Sequence, residues 1–226
     1  MPIANISLNI FASIIVLLVL ISSFIERVKK ETSSSIFLFL LFTIILTLAA
    51  DTVGWLGEGK PELAWLNMIG NTLASCFAYL VLILFLNYFR SELYERNGVI
   101  NAVIILLSLV CMGCMGIFLY NGLSENIISF VDEHGHFQHK EGAISVVVML
   151  VLPSICFVCA TCMTFLTKRL NTYGKFIYTI YGIVPIAGAI IDYFFHGYSF
   201  TYLSFVICAV IIYVNIYQQK RRIISE

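Results

Sequence analysis

Charge is what this sequence has least of. Only 12% of its 226 residues are Asp, Glu, Lys or Arg, against roughly 25% in a soluble globular domain. Hydrophobic residues make up 60% and mean hydropathy is +0.96. That shortage excludes a soluble domain, and 13 basic against 13 acidic residues leaves no net charge to draw a nucleic-acid partner. The last apolar run, 200–217, contains no lysine, which excludes a retinal Schiff base. No convincing nucleophile and base pair or metal site stands near the membrane, so neither enzyme activity nor a cofactor is expected of this chain.

What is abundant is apolar sequence in long stretches. A bilayer core needs about 20 apolar residues per helix, and such runs lie at 3–25, 34–56, 63–89, 99–120, 143–166, 176–195 and 200–217. The expectation is an all-α membrane protein, a bundle of seven transmembrane helices, with connections too short to hold a second domain. Basic residues mark the cytoplasmic side. Arg27, Lys29, Lys30, Arg90, Arg96, Lys168, Arg169, Lys175, Lys220, Arg221 and Arg222 fall in one set of loops, and only Lys60 and Lys140 in the other. This places the N-terminus outside and the C-terminus in the cytoplasm of a multi-pass protein of the plasma membrane. The first run lacks a basic n-region and its positive cluster follows it, so it is expected to be retained as a span.

Seven cysteines all fall inside the predicted spans. "CMGC" and "CFVCATC" lack polar partners, and helical residues three apart merely share a face, so small residues at helix contacts are favoured over zinc. The longest outer loop, 121–143, carries "IISFVD" and "HFQHK" around "EHG". That pattern predicts a short extracellular hairpin between the fourth and fifth helices, a lid over the bundle mouth, with Gly135 at positive φ. His134, His136 and His139 could share a face and hold a metal, but histidines in a hydrated turn are usually only polar surface.

Two spans contain acids. Asp51 and Asp192 each lie about one turn below the outer surface at 1.5 Å per residue. On the third span Asn67, Asn71 and Ser75 form a polar stripe, and on the sixth Tyr178, Tyr181, Pro185, Gly188 and Asp192 follow helical spacing. Two readings stand. The acids could merely cap loops or hydrogen-bond Asn67 and Trp55. Alternatively, Asp51, Trp55, Trp65, Asn67, Asn71, Tyr181, Asp192, Tyr193 and Tyr202 line an outward-facing pocket for a small molecule. No Lys or Arg inside a span neutralises the acids, which favours an amine-bearing or neutral polar ligand over an anion.

The order of "ADTVGWLGEG", "LNMIGNTLASCFAYLVLILFLNYF", "SFVDEHGHFQHKEG" and "YGIVPIAGAIIDYFFHGYS" resembles the seven-helix input domains of bacterial sensor histidine kinases and diguanylate cyclases. The resemblance covers nearly the whole chain. It implies a sensor domain at 1–218, the start of a cytoplasmic signalling linker at 219–226, a ligand taken from outside or from the membrane, a cytoplasmic effector as partner and a homodimer. "NIYQQKRRIISE" has no Pro or Gly and is expected to continue the last helix beyond the membrane. A small-molecule transporter or channel is the alternative, although the proline-bearing fifth and sixth spans have no clear counterparts in the first half, as an internal repeat would require.

Overall fold

A computed structural model describes residues 2–25, 32–93, 98–124, 127–166, 172–194 and 199–225. The helices are α1 (Pro2–Ile25), α2 (Thr32–Gly57), α3 (Ala64–Leu93), α4 (Gly98–Ser124), α5 (Ala143–Val146), α6 (Leu152–Leu166), α7 (Thr172–Phe194) and α8 (Phe200–Ser225). A π-helical turn, Val147–Val151, joins α5 to α6, so these pieces form one span. Seven segments are long and apolar enough to cross a membrane, as expected from the apolar runs. Their outer surfaces carry Phe11, Leu18, Leu106, Leu109 and Phe165, all exposed. A lipid-facing surface has this composition, and a soluble monomer rarely exposes so large an apolar area. Of the basic residues, Arg27, Lys29, Lys30, Arg96, Lys168 and Arg169 lie outside the described residues.

Packing is densest between α2 and α3, for a reason visible in the residues. Ala50 and Gly54 on α2, a small-xxx-small pair, face Gly70 on α3 and let the backbones approach. A side chain at Gly70 would overlap the backbone nitrogen of Gly54 and lie 2.6 Å from its Cα. Helices α1 to α4 pack in sequence, α6 packs on α7 and α7 on α8; α8 then closes the bundle against α1 and α2, while α6 touches α3 and α4.

The interruption of the fifth span follows from Pro153. Within the π-helical turn the amide of Leu152 bonds to the carbonyl of Val147 rather than to that of Val148. The next amide in line for Val148 would be that of residue 153, and proline has none. The Val148 carbonyl is thereby left for a side chain, and the Tyr79 hydroxyl of α3 donates to it. Pro185 sits inside α7 without ending it.

Strands β1 (Ser129–Val131) and β2 (Phe137–His139) pair antiparallel, Phe130 opposite Gln138. Gly135 adopts φ +82° at the tip, as the turn requires. Asn121 at the end of α4 ties the hairpin base down: its Oδ1 accepts the amides of Ile127 and Ile128, and its Nδ2 donates to Ser129.

Candidate functional site

Below the hairpin lies a cavity of about 1030 Å³, at the upper end of the range for small-molecule sites. Helices α2 and α3 form one side; α5, α6, α7 and α8 form the other. Beneath the cavity, met by its lining residue Phe157, an aromatic floor layer continues further along α3, where Phe85 stacks on Tyr181 with centroids 3.9 Å apart, Phe89 meets Tyr178 edge-on at 5.3 Å and Phe85 lies 5.8 Å from Phe157.

The two acids do different work. Asp51 is 4% exposed and lies on the cavity wall. Asn9 Nδ2 donates to its Oδ2 at 2.6 Å, Ser199 Oγ at 2.6 Å and Trp55 Nε1 at 3.1 Å. Three donors from α1, α2 and the start of α8 thus converge on one oxygen, and Oδ1 accepts no bond among the described residues. Three charge-assisted bonds account for a carboxylate held so deep. Asp192 spends both oxygens on α8: Oδ1 accepts the Phe200 amide at 2.7 Å and Oδ2 the Thr201 amide at 2.8 Å. These amides belong to the first turn of a helix and have no intrahelical partner, and the positive end of the helix dipole favours the carboxylate.

A second network reaches from the hairpin into the cavity. His136 Nδ1 and Glu58 Oε1 are 3.0 Å apart, and Glu58 Oε2 accepts the Phe137 amide at 3.2 Å and Asn67 Nδ2 at 2.8 Å. Asn67 Nδ2 also donates to the Gly135 carbonyl at 2.9 Å, and the Gly59 amide donates to the same carbonyl at 3.0 Å. Asn71 Nδ2 then donates to Asn67 Oδ1 at 2.7 Å and to its carbonyl at 3.0 Å. Since only the amide nitrogen can donate, these two bonds turn Asn71 Oδ1 away from Asn67, and it accepts no bond among the described residues. The turn itself is held by Asp132, whose Oδ1 accepts the amides of His136 at 2.8 Å and His134 at 3.0 Å. The His136 amide foremost, and then that of His134, hold the Asp132 carboxyl below the usual carboxylate range.

Of the residues expected at a pocket, Asp51, Trp55, Asn71, Asp192 and Tyr202 line the cavity. Asn67 is fully buried behind the wall, where it orients Asn71. Tyr181 belongs to the aromatic floor, and Trp65 is 61% exposed on the outer surface. The side chain of Tyr193 lies outside the described residues. Sequence reasoning assigned no place at the pocket to Asn9, Ser199, Glu58 or Tyr79, and it offered His136 only as a hairpin residue that could hold a metal. Asn5 and Asn9 offered a signal, since both are amides one turn apart in an apolar run and both are buried. Glu58 and Ser199 offered none, because polar residues at helix ends are ordinary.

Cys111 and Cys156 approach to 3.8 Å between α4 and α6, and the cysteines are free thiols. Among the described residues no three His, Cys, Asp or Glu side chains are placed to hold a metal ion; of the loop histidines, His136 is paired with Glu58. No protein-family model matches the sequence, and a search of curated proteins finds no match.

Proposed function

We propose that this chain is the input module of a bacterial membrane receptor, similar to the seven-helix domains that precede histidine kinases and diguanylate cyclases. The N-terminus and hairpin lie outside the cell, and α8 leads to a cytoplasmic effector. The observation that carries this reading is that α8 both walls the cavity and runs on as one helix to Ser225. Ser199, Thr201, Tyr202 and Phe205 at its near end line the cavity. The Asp51–Ser199 and Asp192–Phe200 bonds attach that end to α2 and α7. A ligand that prefers one arrangement of these bonds shifts the population of α8 positions, and a continuous helix transmits the shift.

The basic residues support the orientation: eleven fall in the connections and adjoining helix ends on one side and only Lys60 and Lys140 on the other. The test is helical phase. With an effector domain fused after Glu226, each inserted residue turns the rod by about 100°, so insertions of one to seven residues make output rise and fall with a period near 3.6. Output indifferent to insertion, together with solute flux into liposomes after deletion of residues 221–226, would replace the receptor with a transporter.

A further inference from the structure

On α7 and α8, and along most of α3, the cavity wall grades from polar to apolar with depth. On α3 it runs from Asn71 and Ser75 near the hairpin to Ala78 and Leu82 below; on α8 it runs from Ser199 and Thr201 to Phe205. On α7 Asp192 stands above Ala189, Ile186 and Pro185. From Asn71 to Leu82 the wall descends about 16 Å at 1.5 Å per residue. A ligand matching this gradient has a polar head under the hairpin and an apolar chain reaching towards the aromatic floor.

The head is defined by what the wall leaves unmatched. Each Asp192 oxygen already accepts an α8 amide, which reduces its capacity for a ligand, and its charge adds to the field that favours a cation. Asp51 Oδ1 and Asn71 Oδ1 are acceptors left without a donor among the described residues, and Asn71 packs directly over Gly54, one turn from Asp51. Both want N–H or O–H groups. The carboxylates of Asp51, Glu58, Glu141 and Asp192 outnumber the single ammonium of Lys140 on the wall, where the imidazoles of His136 and His139 also stand; His134 and Lys60 lie at the hairpin outside the lining. A buried carboxylate with an open oxygen favours a donor that is also a cation.

We infer that the site binds a primary alkylammonium, a protonated amine on a hydrocarbon chain, with the head at Asp51 and Asn71 and the chain along Ala78 and Leu82. This rests on the reading of the cavity as the ligand site of the receptor. The same chemistry is offered by a free alkylamine from the aqueous phase and by an aminolipid of the bilayer.

The chain has two tryptophans, so in a Trp65→Phe background Trp55 reports from the wall. In nanodiscs of phosphatidylglycerol, decylamine should change Trp55 emission saturably, at least tenfold more tightly than decyltrimethylammonium, which has charge but no N–H, and than ethylamine, decanol or decyl sulfate. Asp51→Asn should weaken decylamine at least tenfold. Ala78→Phe, which leaves the polar head site untouched, should weaken decylamine while sparing butylamine. Adding phosphatidylethanolamine to the discs separates the sources: a blunted decylamine response assigns the ligand to the bilayer, and an unchanged one to the aqueous phase.

Equal binding of decanol or decyl sulfate would overturn the cationic head, equal binding of ethylamine would overturn the chain, and no saturable response would overturn both. Saturable binding with output indifferent to insertion phase would sink the receptor and leave the ligand class standing. Phase-dependent output without decylamine binding would do the reverse.

Discussion

Replacing Tyr79 with Phe removes one oxygen atom and leaves the Val148 carbonyl without its donor. Tyr79 and Val148 are both buried, so the acceptor cannot simply turn to bulk water. Leaving a buried group unmatched costs about 1–3 kcal/mol in soluble proteins. Hydrogen bonds between membrane helices average about 0.6 kcal/mol and reach about 1.7. Tyr79 also borders the cavity, where water relieves part of the loss, so about 1 kcal/mol is expected. The cause lies in Pro153, and a second substitution therefore tests it. Pro153→Ala restores an amide and lets the segment return to an α-helical register, in which the Leu152 amide serves Val148. Tyr79→Phe should then cost less than half as much. Reversible unfolding of the four variants in mixed micelles measures the cycle, and isotope-edited infrared absorption of the Val148 carbonyl reports its bonding directly. Additivity within about 0.3–0.5 kcal/mol, or a carbonyl band unmoved by Tyr79→Phe, would refute the account.

Glu58→Ala removes the acceptor shared by His136, Asn67 and Phe137, and amide exchange at Phe137 should accelerate several-fold while that of Leu86 in the bundle core stays unchanged. Because the Asp132 carboxyl is held low in the folded hairpin, its contribution is present above the unfolded aspartate range and is lost as pH falls through the folded value; exchange at His134 and His136, normalised to intrinsic rates, should lose protection only in that acidic window. Gly70→Leu, facing the Gly54 backbone, should lower the thermal midpoint far more than Gly113→Leu, where nothing lies within 4 Å of the added atom. Single cysteines at Gln138 and Thr172 in a cysteine-free background should differ in labelling by an impermeant thiol reagent in intact cells, with only the first reacting; equal labelling would reject the orientation.

The membrane spans were legible in the sequence because the solvent dictates them: a hydrocarbon core demands about 20 apolar residues in a helix that satisfies its own backbone. The hairpin and the positive φ of Gly135 were legible for a local reason, since turn chemistry operates within a few residues. Asp51 and Asp192 also stood out, as any acid does in an apolar span. Their separate roles did not. Whether a carboxylate has a free oxygen depends on which donors arrive from other helices. Asn9 and Ser199 reach Asp51 across 42 and 148 residues of chain, a separation that no periodicity encodes. Tyr181 shows the same limit, because helical spacing placed it on the face of Asp192 but not at a depth where Phe85 covers it. The Val148 carbonyl combines both levels: Pro153 alone determines that an amide is missing, and only the packing of α3 on the fifth span decides that Tyr79 fills the gap.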